Sequence, residues 1–313
     1  MPEAEGVSSL WLELTPHCDL SCAFCYNDWR TAPKSEYPTR IDFDTLCHGI
    51  TRLLERVKFS YVALSGGEPL LYPKLVHLTE FLTDRDQRTI LTTNGRLFTE
   101  ERAAALKAAG LSGIQVPLLS ADPELHDDLA GRPCWETTIR ALAISLHLGL
   151  ATTATFVATR RNLHQLGNVV KLAEAIGVRR VLVNDLHPVG AAWENIEEVG
   201  LSSPEVRKAY EEARQATEEV ELLLIPDPIA MDRALEVDRR WLRWSLSPDG
   251  DLKLCNQSTR VIAPLHGLSD FELDEIADDF SVGHIGKYRN NVNNCRCFER
   301  QMDHDRGFVG SRA

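Results

Sequence analysis

Three cysteines fall close together in Cys18-Asp-Leu-Ser-Cys22-Ala-Phe-Cys25, directly after the apolar run Leu10-Trp11-Leu12-Glu13-Leu14. Thiols so near one another on a loop leaving a strand can converge on one inorganic centre. Three thiolates leave the fourth corner of a tetrahedral site without a protein ligand. Zinc and iron–sulfur centres both accept sulfur in this geometry. Structural zinc requires a fourth ligand nearby, for which His17 and Cys47 are the neighbouring candidates. A disulfide framework fits poorly, because eight cysteines in 313 residues is a sparse set and no secretory signal precedes them. Nor does an apolar core explain three thiols interleaved with polar residues.

A second motif follows the next strand candidate, Phe59 to Leu64, as Ser65-Gly66-Gly67-Glu68-Pro69-Leu70. Glycines let backbone approach a ligand closely, and Glu68 offers an acceptor for an ammonium group. The spacing C-x3-C-x2-C followed by the aromatic Tyr26, together with Gly66-Gly67-Glu68-Pro69, resembles the radical S-adenosylmethionine (SAM) superfamily. The resemblance implies that Cys18, Cys22 and Cys25 hold a 4Fe-4S cluster whose remaining iron is chelated by the methionine part of S-adenosylmethionine. It implies that one electron then cleaves the sulfonium bond and that a 5'-deoxyadenosyl radical takes hydrogen from a substrate. It further places Gly66, Gly67 and Glu68 at the methionine amino group and Tyr26 near the adenine. An external one-electron donor such as flavodoxin or ferredoxin is implied as partner.

The formal charge of -12 argues against a general nucleic-acid surface, which needs concentrated Lys and Arg. No uninterrupted apolar stretch is long enough to cross a bilayer, so the expectation is a soluble protein in the reducing cytoplasm with no membrane partner.

Asp42 is placed to cap an amphipathic helix carrying Phe43, Leu46, Ile50, Leu53, Leu54 and Val57 on one face. Strand and helix candidates then alternate. Strands are expected at Arg88–Thr93, Gly113–Leu119, Ala151–Val157 and Arg180–Asn184, with helices at Leu75–Leu82, Thr99–Ala109, Trp135–Leu148 and Leu163–Ala175. Pro117 predicts a local irregularity in its strand, and Leu125 to Arg132 reads as a loop or short turn. This alternation predicts parallel strands joined by helical crossovers. The fold expected is therefore α/β, a partial (βα)6 TIM-like barrel over residues 1–200, with a connecting helix and linker over 201–240. Chemistry in such a barrel sits at the carboxyl ends of the strands. That rule brings Thr92, Asn94, Ser120, Thr155, Asn184 and His187 to the same mouth as the cysteines and glycines, and by resemblance the polar residues there contact the cofactor's carboxylate or ribose.

Residues 241–313 predict a small C-terminal α+β module. Trp241–Leu246 and Asp251–Cys255 read as a hairpin turning at Asp249-Gly250. Gly250-x4-Cys255 resembles the opening of the twitch/SPASM extensions of the same superfamily, which carry auxiliary iron–sulfur clusters. With Cys295 and Cys297 only three thiols remain there, so a single second auxiliary cluster is expected on Cys255, Cys295 and Cys297, its fourth ligand open. Cys47 and Cys134 read as core residues.

The function expected is a radical SAM oxidoreductase acting on a biosynthetic substrate, with oxidation or bond formation assisted by the auxiliary cluster. A small polar metabolite is favoured, because the first strand lies almost at the start of the chain and no amino-terminal peptide-recognition domain precedes it. The alternatives are modification of a ribosomal peptide by cross-linking or oxidation, and a non-catalytic iron–sulfur or zinc protein.

Overall fold

The computed structural model describes residues 9–27, 40–225, 243–253 and 261–281. Its barrel portion runs β1 (Ser9–Glu13), α1 (Phe43–Leu54), β2 (Tyr61–Ser65), α2 (Leu75–Thr83), β3 (Thr89–Thr92), α3 (Glu100–Ala108), β4 (Gly113–Pro117), α4 (Pro123–Ala130), α5 (Trp135–His147), β5 (Ala151–Val157), α6 (Leu166–Ile176) and β6 (Arg180–Asn184). Short helices α7 (Ala191–Glu194) and α8 (Ile196–Val199) lead to α9 (Ser203–Gln215) and β7 (Glu221–Ile225). The hairpin β8 (Arg243–Leu246) and β9 (Asp251–Lys253), the short β10 (Ala263–Pro264) and α10 (Asp270–Ser281) complete the described elements.

The ten described strands form one sheet in the order β10-β9-β8-β1-β2-β3-β4-β5-β6-β7. The pairings from β8 across to β7 are parallel, and β8-β9-β10 are antiparallel. The expected six-stranded parallel run is therefore present as β1 to β6 within a partial barrel-type sheet. The sheet also continues at both ends: Glu221–Ile225, in the stretch read as connector, pairs along β6, and the first strand of the C-terminal hairpin lies along β1.

Strand alternation separates two faces. Leu10, Leu12, Val62, Leu64, Leu91, Ile114, Val116, Ala154, Phe156, Val181 and Val183 belong to the main core, packed with Leu46, Ile50 and Leu53 of α1 and Leu78 and Leu82 of α2. Complete burial of each such leucine or isoleucine is worth ~1.5–3 kcal/mol. The opposite face receives Glu13, Ser65, Thr92, Gln115, Thr155 and Asn184, a polar set at or near the strands' carboxyl ends.

Local signals explain the helix limits. The Asp42 side chain accepts from Thr45 N at 3.0 Å and caps α1. The segment read as loop after Pro123 is α4: Asp122 accepts from Glu124 N at 3.0 Å, Pro123 occupies the first turn, and Gly131 ends the helix with φ of 74°. Pro117 disturbs little because it is the last residue of β4, opposite Thr155. Among the described residues no helix is long and apolar enough to cross a membrane.

Candidate cofactor site at the strand ends

The cysteine loop leaves β1 and is held from three sides. On the β2 side Gly67 N donates to Thr15 O at 2.7 Å and Glu68 N to His17 O at 2.8 Å. On the α4 side Ser21 N donates to Ala130 O at 3.2 Å and Ala23 N to Leu129 O at 3.1 Å. After β6, Ala192 N donates to Cys25 O at 3.3 Å and Asn195 Nδ2 to Ala23 O at 3.0 Å. Cys18, Cys22 and Cys25 are all partly exposed and not in disulfides. These hydrogen bonds hold the backbone that carries the three thiols against the loops after β2 and β6 and against α4.

Close approach explains the glycines. Gly66 has φ of 125°, and a Cβ there would lie 2.8 Å from Thr15 O; one on Gly67 would overlap the His17 carbonyl. At Gly190 a Cβ would come within 2.7 Å of Cys25 O and 2.9 Å of the Tyr26 carbonyl group. Bare backbone at these positions lets the loops after β2 and β6 close on the loop that carries the thiols.

Glu68 meets a geometry different from the open acceptor its sequence predicts. It is 0% exposed. Oε1 accepts from Leu70 N at 2.9 Å and from Thr93 Oγ1 at 2.7 Å, and Oε2 accepts from Asn94 N at 2.9 Å. Pro69 opens a single 3₁₀ turn over Pro69–Leu71, and Glu68 caps it, which turns the side chain inward. Its carboxylate thus ties the loop after β2 to the loop after β3. Burial pushes its pKa up to about 7 against the lowering effect of the three donors.

The other expected residues divide. Asn94 points toward the cysteine loop: Nδ2 donates to Asp19 Oδ1 at 2.7 Å and lies 3.9 Å from Cys18 Sγ. Thr92 ends β3 with its buried Oγ1 lacking a hydrogen-bond partner. Thr155 and Asn184 are partly exposed on the polar face. Ser120 is fully buried, and its Oγ accepts from Asp122 N at 2.9 Å, so it shapes the entry to α4 instead of opening to the mouth. Tyr26 is partly buried beside Gly190. Cys255, Cys295 and Cys297 lie outside the described residues.

Several site residues escape sequence reasoning. Asn27, the second residue after Cys25, donates from Nδ2 to Gly66 O at 3.2 Å and keeps a buried, unpartnered Oδ1. Thr93, next to the expected Thr92, is the residue that bonds Glu68. Arg96 donates from a guanidinium nitrogen to Asp19 Oδ2 at 2.7 Å. Asn162 is fully buried, donating to Leu119 O at 2.9 Å and Val157 O at 3.0 Å, and so joins the loops after β4 and β5. A carboxamide offers donors and acceptors together, but only topology reveals which loops it can bridge.

On the polar face Glu13 and Lys253 form a buried ion pair at 2.9 Å, with exposures of 2% and 5%. Burial raises the Glu13 pKa, and the Lys253 ammonium pulls it back only in part. Glu13 Oε1 and Ser245 Oγ are buried without hydrogen-bond partners.

His126, Asp127 and Cys134 bring possible metal-binding atoms within 4.8 Å of one another, yet those atoms are already engaged. His126 Nδ1 accepts from Leu119 N at 3.2 Å, which leaves Nε2 to donate to Thr138 Oγ1 at 3.4 Å. Asp127 Oδ1 accepts from Cys134 N at 2.8 Å and Trp135 N at 2.7 Å, capping α5. Burial pushes Cys134 up to about 12 and His126 down to about 4, keeping both neutral. This is a structural knot, in keeping with Cys134 as a core residue.

The residues at the mouth fit a cluster with a small polar cofactor. Three accessible thiols share one clamped loop, and the orphaned Asn27 Oδ1 and Thr92 Oγ1 offer an acceptor and a hydroxyl for a ligand's polar groups.

Comparisons with known proteins point the same way. A family model described as Radical SAM superfamily matches residues 12–173. An AdoMet-dependent heme synthase of Methanosarcina barkeri is 31% identical over 187 residues, 59% of this chain and 52% of that protein. The mycofactocin maturase MftC of Mycobacterium tuberculosis is 31% identical over 179 residues, 57% of this chain and 44% of that protein. The chain spans about half the length of these curated relatives. In structure, SuiB of Streptococcus suis bound to its precursor peptide SuiA superposes with a TM-score of 0.73 at 18% identity, covering 93% of this chain and 70% of that one.

Proposed function

The chain belongs to the radical S-adenosylmethionine superfamily, whose chemistry rests on S-adenosylmethionine and a 4Fe-4S cluster, and from this premise we propose that Cys18, Cys22 and Cys25 hold that cluster and that the enzyme acts on a peptide. The chemistry supplied when both groups are bound is one-electron cleavage of the sulfonium bond, giving methionine and a 5'-deoxyadenosyl radical that takes a hydrogen atom from the substrate.

The chain's own residues perform four tasks in this reading. The clamps from Gly67, Glu68, Leu129, Ala130 and Ala192 fix the thiol loop. The buried Glu68 carboxylate sets the loops after β2 and β3 in one register. Asn27 Oδ1 accepts from an amine and Thr92 Oγ1 bonds a carboxylate or hydroxyl, each meeting a need the free protein leaves open. The polar sheet face, with Glu13 Oε1 and Ser245 Oγ unpartnered, receives a substrate able to hydrogen-bond, and the enclosing sheet keeps bulk water from the radical. Residues 241–313 form the auxiliary-cluster module in the same proposal, rooted on β1 through β8, with Cys255, Cys295 and Cys297 as its thiols and flavodoxin or ferredoxin as the external electron donor.

One observation carries the peptide reading: the fold likeness to SuiB, a protein solved with its precursor peptide, extends over 93% of this chain and so reaches past the barrel. It moves the preference away from the small metabolite. The metabolite reading keeps support from the heme synthase relative at 31% identity. Deuterium transfer separates the two. Anaerobically reconstituted protein, S-adenosylmethionine and a reductant are mixed with either the peptide fraction or the small-molecule fraction of a fully deuterated cell extract. Deuterium in 5'-deoxyadenosine from the peptide fraction alone is the expected result; deuterium from the small-molecule fraction alone overturns the peptide reading.

A further inference from the structure

Asp19 follows the first cysteine of the loop and so places a carboxylate beside the thiols. It is held from β3's loop by two donors, Asn94 Nδ2 at 2.7 Å on Oδ1 and Arg96 at 2.7 Å on Oδ2. The Asn94 amide has only one orientation consistent with its neighbours. Its Oδ1 accepts from Arg96 N at 2.8 Å, so the nitrogen end faces Asp19 and Cys18. Nδ2 carries two protons: one goes to Asp19, and the second is available toward Cys18 Sγ, 3.9 Å away. Leu20 N already donates to the same sulfur at 3.4 Å. The backbone of Asn94 is itself fixed by Glu68 Oε2 at 2.9 Å.

From this arrangement, and resting on the assignment of Cys18 as a cluster ligand, we propose that Asn94, Asp19 and Arg96 set the reduction potential of the cluster and hence how readily it accepts its electron. An N–H donor on a ligand sulfur withdraws charge and favours the reduced, more negative state. A neighbouring carboxylate disfavours that state, and Arg96 offsets it. Asp19 therefore has two opposed effects: it orients the donor, and it adds negative charge beside the thiols. Asn94 acts through hydrogen bonding to a ligand, and Asp19 and Arg96 are positioning residues.

The two effects can be separated by substitution. Asn94→Ala removes the donor and lowers the potential. Asp19→Asn removes the charge and keeps one of the two acceptor oxygens, enough to hold Asn94 Nδ2 while the contact to Arg96 is given up, and raises the potential. Arg96→Met removes the offsetting charge and lowers it. The measurement is an anaerobic redox titration of the full reconstituted chain followed by electron paramagnetic resonance, without S-adenosylmethionine, together with iron and labile sulfide per chain. Shifts of opposite sign in Asn94→Ala and Asp19→Asn at full cluster content are the expected result, and a purely structural role does not produce them. Unchanged potentials, or shifts of one sign, at full content overturn the proposal; if Asn94→Ala does not load, Asp19→Asn decides alone, its potential rising or not. The signal titrated is the one that disappears when Cys18, Cys22 and Cys25 are all replaced by Ala, a cluster on Cys255, Cys295 and Cys297 keeping its own. Failure of the underlying ligand assignment is seen separately, as no loss of signal, iron or sulfide in that triple variant.

Discussion

Glu68 Oε2 stands 2.9 Å from the backbone nitrogen of Asn94, so a single buried carboxylate joins the glycine loop after β2 to the loop after β3 that faces Cys18. Both oxygens of this group accept, and two of the three donors are backbone N–H groups that cannot reverse. Glu68→Gln sets an amide N–H against one of them. The loss expected is about 1–3 kcal/mol, the cost of a buried donor left unpaired. Urea unfolding of the metal-free protein measures it, and binding of S-adenosylmethionine to the reconstituted variant is expected to weaken as the loops separate.

The same carboxylate makes stability depend on pH. Its pKa in the folded protein is raised from 4.5 to about 7, because burial penalises the charge. A raised value means that the folded state holds the proton more tightly than the unfolded one. This contribution to stability is full below the unfolded value and is lost as pH rises through about 7. Thermal melts of metal-free wild type from about pH 4 to about pH 8 are expected to show this decline, and Glu68→Gln is expected to lose that part of the slope. A difference curve that is flat across the window contradicts it.

Lys253 of the C-terminal hairpin reaches Glu13 on β1, and both are almost fully buried. Lys253→Met leaves Glu13 desolvated without its cation, an expected loss of about 3–5 kcal/mol. Pairing it with Glu13→Leu removes both charges and is expected to recover much of that loss. A urea-unfolding double-mutant cycle reads the coupling; additive effects of the two changes contradict it.

Gly67→Ala drives a methyl group into the His17 carbonyl and must displace the thiol loop. Gly167→Ala, in α6, meets nothing within 4 Å and is expected to gain ~0.5–1 kcal/mol from helix propensity. The first variant is expected to melt at lower temperature and incorporate less iron and sulfide, the second to load normally. Normal loading of Gly67→Ala would show that close backbone contact does not position the thiols.

Much of this architecture is legible in the chain because its signals are local. Asp42 before Phe43, the apolar spacing of α1 and the alternating strands each act over a few residues, and the structure returns them as read. The α4 helix is equally signalled by Asp122, Pro123 and Gly131, but its many polar residues blur the apolar stripe that marks a helix. What sequence does not disclose is which loops meet. Glu68 turning inward, Asn27 reaching Gly66 and Arg96 reaching Asp19 depend on strand neighbours fixed only by the folded sheet. The pairing of β8 with β1 is of the same kind. Leu12 lies opposite Leu246 across most of the chain's length, and no local pattern records that they meet.

The thiol loop as the seat of cofactor cleavage is tested most directly by the 5'-deoxyadenosine that the anaerobically reconstituted chain forms from S-adenosylmethionine under strong reduction. The comparison is a variant in which Cys18, Cys22 and Cys25 are replaced by Ala. Formation by the wild type and abolition in a variant that keeps its fold is the result predicted. No 5'-deoxyadenosine from a fully loaded wild type, or equal amounts from the folded variant, would contradict it.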